Sequence, residues 1–98
     1  MNNATATTGK VIVRSDKAGV FYGEIAARRG GEADMVNVRR VHYWEGAASL
    51  SQMSQDGVGL GSRLTLVVPS MTILGVIEII PCAPKAVANL DAHPVWKM

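Results

Sequence analysis

An α+β fold, a β-rich antiparallel sheet with one or two short helices, is what the sequence predicts. Short β-prone runs follow one another, separated by Gly and Pro turn signals. Two segments, Ser49–Gln55 and Ala83–Leu90, carry helix-start chemistry, and both are too short to stand without a sheet beneath them. Ninety-eight residues suit one domain with a small core, and an apolar fraction of 48% is ordinary for a globular chain. The opening MNNATATTG, residues 1–9, has no large apolar anchor and reads as a flexible N-terminal arm. Residues 10–98 are expected to form a single compact domain.

Lys10–Arg14 (KVIVR) is the first strand, and SDKAG after it supplies turn chemistry. Gly19–Arg28 reads as the second, with Gly23 marking a bulge or a close backbone approach. RGGE makes the next turn, and Ala33–Tyr43 is the third strand. By period two, Val36, Val38, Arg40, His42 and Trp44 share one face of it, and Met35, Asn37, Arg39, Val41 and Tyr43 the other. Neither set is uniformly apolar. The strand therefore needs a bulge near Arg39–Arg40, a second buried face at a subunit interface, or a ligand face.

Gly46 ends that segment. Ser49 is a helix cap, Gln52 three residues on completes a capping box, Leu50 and Met53 give a narrow apolar stripe, and Gly57 is the stop. GVGLGS follows as a loop. Leu64–Val68 and Met71–Ile80 are the strongest strand candidates, split by Pro69. Pro84 suits the first turn of a helix over Ala83–Leu90. His93–Trp96 is an extended tail whose Trp96 is expected to dock on the body.

Composition narrows the function classes. A formal charge of +2 does not demand nucleic acid, although six of the ten basic residues are Arg, the better residue for planar, bidentate contacts. Cys82 is the single cysteine, so neither an intramolecular disulfide nor a cysteine zinc cluster is available, and a reducing compartment is expected. The greasy run LTLVVPSMTILGVIEII is broken by Pro69 and Glu78, and the first residues given show no basic region followed by an apolar signal core. A cytoplasmic protein without a membrane span is the expectation.

Conventional catalytic chemistry is missing. GVGLGS lacks the lysine and the strand-to-helix context of a phosphate loop. His42, His93 and Cys82 lack metal-ligand spacing. Ser49, Ser51 and Ser54 near His42 form no nucleophile elbow. No catalytic residue, metal or cofactor is assigned, and the chain is expected not to be an enzyme. Glu78, inside an apolar strand, is either exposed or paired with a buried Arg.

What remains is a binding constellation. If the second and third strands are antiparallel neighbours, Arg28 and Arg29 approach Arg39 and Arg40 and make an anion-binding surface. Tyr43 and Trp44 supply faces on which a base can stack, and Asn37, Ser49 and Gln52 can read polar edges. The ordinary alternative is a solvated face of arginines around a Trp-centred core.

VRRVHYWEGAASLSQMSQDGV, with its Arg-Arg, Tyr-Trp, Gly-Ala and Ser-Leu-Ser succession, resembles a pattern in small phage-encoded proteins of an uncharacterised domain family. VIEIIPCAPKAV and PVWK look similar too, so the likeness covers about Lys10 to Met98. That family in turn looks like the phage anti-defence sponges of the anti-Thoeris kind, small β-rich oligomers that sequester cyclic nucleotide immune signals without cleaving them. The resemblance implies an accessory anti-defence protein in the bacterial host, a homo-oligomer, with a nucleotide-derived signalling molecule as ligand and Arg28, Arg39, Arg40, Tyr43 and Trp44 as the binding residues. The alternative is a protein-interaction inhibitor of a bacterial defence complex, anchored by Tyr43, Trp44 and Trp96.

Overall fold

The computed structural model describes residues 8–97. The fold is α+β, with six antiparallel strands and two short helices. In chain order these are β1 (Val11–Ser15), β2 (Gly19–Arg29), β3 (Glu32–Tyr43), α1 (Leu50–Asp56), β4 (Arg63–Leu64), β5 (Val68–Ile73), β6 (Val76–Pro81) and α2 (Pro84–Ala92). Most of the expected arm lies outside the described residues. Its end does not: the Thr8 hydroxyl donates to the Cys82 carbonyl at 2.9 Å.

The strands run β4-β3-β2-β1-β6, and β5 takes the first half of the β3 edge whose second half holds β4. β5 and β6 are consecutive, joined by Leu74 and Gly75. One edge of the sheet thus passes into the other through a two-residue corner, and the sheet curls. Gly75 makes the corner at φ +68, a conformation open to glycine. The Asp16 amide bonds the Gly75 carbonyl at 2.8 Å, and the Ser15 hydroxyl bonds that of Leu74 at 2.6 Å.

Curling gives the sheet two buried faces. Inside the curl lie Val13, Phe21, Ala33, Met35, Val38 and Ile73. On the opposite face Ile12, Val20, Tyr22, Val41 and Leu64 pack under Met53 of α1 and Ala86 and Leu90 of α2. Burial on this second face is what holds two helices too short to persist alone. Ser49 caps α1 as expected, its Oγ accepting from the Gln52 amide at 3.1 Å. The returning bond of the box is shifted by one residue: Gln52 Oε1 accepts from the Ala48 amide at 2.8 Å.

The mixed patterning of β3 is explained by a bulge, two residues earlier than expected. Tyr22 faces Arg39 and Glu24 faces Val36, so Gly23 alone opposes Asn37 and Val38. Asn37 sits at φ +53. The extra residue flips parity: Met35 and Val38, three apart, both point into the curl, and Arg39 and Val41 then turn to the helix face. Gly23 is required for this approach, because a Cβ there would lie 3.0 Å from the Asn37 and Val36 carbonyl oxygens.

Pro69 does not separate two strands. It lies within β5, across from Asn37, the one position where the β3–β5 ladder skips a pairing, and the break falls instead at Leu74–Gly75. Glu78 is paired, but with the half-exposed Arg14 at 3.9 Å and not with a buried arginine.

Candidate functional site

Sequence alone suggests one arginine surface on β2 and β3; the register separates its members. Arg28 faces Ala33 near the hairpin tip, whereas Arg39 and Arg40 face Tyr22 and Phe21 beyond the bulge. The distance along β2 is roughly 20 Å at 3.3 Å per residue, and Arg39 and Arg40 point to opposite faces. The four guanidinium groups therefore do not converge, which corrects the expectation of a single patch.

Each has its own setting. Arg28 is exposed, bonds only the Gly30 carbonyl at 3.3 Å among the described residues, and lines an open cleft of about 290 Å³ with Val76–Ile79 of β6. Arg29 forks onto Asp34 at 2.8 and 3.1 Å and reaches Glu32 at 3.2 Å. This fork, with a hydrogen bond from Thr72, holds the Asp34 carboxyl below the usual range. Arg40 lies over the Phe21 ring at 4.6 Å and donates to the Ala18 carbonyl at 2.6 Å.

Arg39 is buried, 3% exposed, and each of its three nitrogens donates to a backbone carbonyl. Nε donates to the Thr65 carbonyl at 2.8 Å, Nη1 to Leu90 at 2.7 Å and Nη2 to Pro94 at 3.4 Å. Burial lowers its pKa, partly offset by Asp91 and Tyr22. One side chain thus ties together the segment after β4, the end of α2 and the C-terminal tail. It is spoken for as an anchor, and contact with an outside anion would require it to leave these carbonyls.

The tail that Arg39 holds returns to β3. His93 is buried with Nε2 at 2.7 Å from the Ser62 carbonyl. Val95 bridges to Leu64, and the Trp96 amide donates to the Leu64 carbonyl at 2.8 Å. This brings the Trp96 ring onto His42, with centroids 4.7 Å apart and planes inclined by 11°. A second irregularity in β3, between Val41 and Tyr43, sets Tyr43 opposite Arg63 of β4. The Arg63 guanidinium carbon then lies over both rings, 5.6 Å from the Tyr43 centroid and 5.5 Å from that of Trp96. His42, Tyr43, Arg63 and Trp96 are all exposed.

Glu45 completes the row. Tyr43 donates its hydroxyl to Glu45 Oε2 at 3.1 Å, and this bond, with the carboxylate charge, raises the Tyr43 pKa. The loop is tight here because Gly46, at φ +83, packs against Gly59: a Cβ would come within 2.7 Å of the Gly59 nitrogen. The Gly59 amide bonds the Glu45 carbonyl at 2.7 Å, and the Ser62 hydroxyl accepts from the Glu45 amide at 3.0 Å.

Of the residues read as a site from sequence, only Tyr43 belongs to this exposed row. Trp44 is half-buried against the helix-face core. His42 and Trp96 join the row, and Arg63 is the member that sequence reasoning missed. Its signal was faint: a lone arginine after a glycine-rich loop, brought to Tyr43 only by a two-residue strand. His42, His93 and Cys82 do not meet as a metal site. His42 lies on Trp96, His93 on Ser62, and Cys82 in the helix-face core.

Residues 8–90 match a family model described as a domain of unknown function, DUF6948. The chain belongs to that family. No curated protein and no solved structure matches it. The matched span of the DUF6948 domain takes in Tyr43, Glu45 and Arg63, and ends just before the tail that carries Trp96. None of the helices among its described residues is long and apolar enough to cross a membrane.

Proposed function

We propose that this DUF6948 protein is a non-catalytic binder that captures a phosphorylated, nucleotide-derived signal and holds it intact. The observation that carries the proposal is the exposed row His42–Trp96–Arg63–Tyr43, in which a guanidinium lies over two aromatic rings. Aromatic faces stack on bases irrespective of sequence, each base contributing about 1–3 kcal/mol, and arginine is the side chain suited to phosphate. Relative to the binding residues expected from sequence, the proposed site keeps Tyr43, leaves out Arg28 and Arg40, and replaces the buried Arg39 and the half-buried Trp44 by Arg63 and Trp96. The phage-like VRRVHYWEGAASLSQMSQ segment contributes His42, Tyr43 and Glu45 to the row and supports an anti-defence role in the cytoplasm of a bacterial host, as a homo-oligomer.

Calorimetry against cyclic di- and trinucleotides and ADP-ribose derivatives tests the proposal. Saturable binding is expected, with the ligand recovered unchanged after denaturation. Cleaved ligand would show a hydrolase instead of a binder, and a panel without binding would sink the proposal.

A second reading has its own observation. Leu66, Val67 and Val95 are 48, 52 and 49% exposed, on the segment after β4 and on the tail that bridges β4. Together with Trp96 they favour a protein-interaction inhibitor of a bacterial defence complex, in which apolar and aromatic anchors enter a partner. Stabilisation by a host protein, and by no nucleotide, would be its mark.

A further inference from the structure

We infer that Arg63 is a displaceable occupant of the binding site: its guanidinium stands where the planar ring of a ligand sits, and on binding it moves to that ligand's phosphate. The inference rests on the nucleotide-binding proposal and adds a division of labour within the row.

Three observations support it. The first is position. Arg63 lies 5.6 and 5.5 Å from the two ring centroids. These values fall inside the range of about 4.5–7 Å over which aromatic centroids interact, so a flat heterocycle centred at the same point reaches both Tyr43 and Trp96. The second is freedom. Among the described residues the Arg63 guanidinium has no carboxylate within salt-bridge distance, and cation–π contact at an exposed site holds it by only a weak attraction. Arg39 and Arg40 are held differently, by hydrogen bonds to backbone carbonyls as short as 2.7 and 2.6 Å. The third is polarity. Glu45 is fixed beside Tyr43 by the hydroxyl bond at 3.1 Å. A carboxylate there accepts from the amino or hydroxyl groups of a nucleoside and repels phosphate. The base and sugar therefore go to the Tyr43–Glu45 end, and the phosphate goes with the freed guanidinium.

The rings are rigidly presented, which makes the exchange local. The backbone of Tyr43 is paired with Arg63, and that of Trp96 is bonded to Leu64. Only the long side chain of Arg63 needs to change rotamer, and the charge that leaves the rings reappears on the phosphate as a fork of charge-assisted hydrogen bonds.

The test is a comparison of phosphorylated and unphosphorylated ligands on parent, Arg63→Ala, Tyr43→Leu and Trp96→Leu, each checked for an unchanged circular dichroism spectrum. Adenosine and guanosine are the bare probes. AMP, GMP, ADP-ribose and the cyclic dinucleotides are the phosphorylated ones. The parent is expected to prefer phosphorylated probes. Arg63→Ala is expected to lose that preference, its affinity for them falling about tenfold or more while nucleoside affinity holds or rises. Tyr43→Leu and Trp96→Leu are expected to lose both. If Arg63→Ala lowers both classes alike, or if the ring substitutions leave binding intact, the displaceable role of Arg63 is wrong while nucleotide binding stands. If no probe binds the parent, the nucleotide proposal fails and this inference falls with it.

Discussion

Replacing Arg39 by alanine should be among the most damaging single substitutions in the polar set. Two of its hydrogen bonds, 2.8 Å to Thr65 and 2.7 Å to Leu90, are short, and the third, 3.4 Å to Pro94, is long enough to add little. Hydrogen bonds from a charged group contribute about 1.5–3 kcal/mol each. Against this stands the desolvation of the buried cation, the same effect that lowers its pKa. A net loss of about 3 kcal/mol is the working figure. For a domain of this size each kcal/mol moves the melting temperature by roughly 4–8 °C, so a fall of about 12 °C or more is expected in thermal unfolding followed by circular dichroism. Arg39→Lys, a single point of charge in place of a planar fork, should recover only part of it. Because Arg39 also holds the tail, Trp96 emission, isolated in a Trp44→Phe background, should shift to the red in native buffer. A melting temperature within about 3 °C of the parent, with unchanged Trp96 emission, would refute the anchoring role.

Further outcomes follow at Gly23, Asp34 and Cys82. Gly23→Ala drives a methyl to 3.0 Å from two backbone carbonyl oxygens that the bulge holds in place, and should cost about 1–3 kcal/mol in urea unfolding. Asp34 is held below its usual pKa by Arg29 and then by Thr72, so its contribution is in place above about pH 4 and is lost as pH falls toward the folded-state value; the stability gap between parent and Asp34→Asn should narrow from pH 7 to pH 3. The Cys82 thiol is pushed up to about 11 by burial first and Asp91 second. At pH 8 a thiol alkylating agent should therefore modify the native protein roughly a hundredfold more slowly than the unfolded chain. Stability should decline as pH rises from about 9 toward 11, because the unfolded thiol ionises first.

The elements were largely legible because their signals are local. Ser49 and Gly57 bound α1, Pro84 opens α2 at its first position, and Gly23 marks the bulge. The placing of Pro69 was not legible, since whether proline breaks a strand depends on which partner stands opposite it. Here that partner is the bulged Asn37, where no ladder bond is needed. The site was less legible still. Arg39 and Arg40 look alike in sequence, yet a bulge two residues earlier than expected decides which one is buried. Arg63 and Trp96 reach Tyr43 and His42 through contacts that span twenty to fifty-four positions, and nothing in either local sequence announces the other.

The two-residue corner at Leu74–Gly75 bears on how the chain reaches its native state. β1 can pair with β2, and β2 with β3, as soon as those hairpins exist, but the outer partner of β1 arrives roughly 60–70 residues later in the chain. Loop closure of that length is slow, and until it happens the first three strands carry an open apolar edge on each side. The span before closure is also when the chain is most prone to pair with copies of itself.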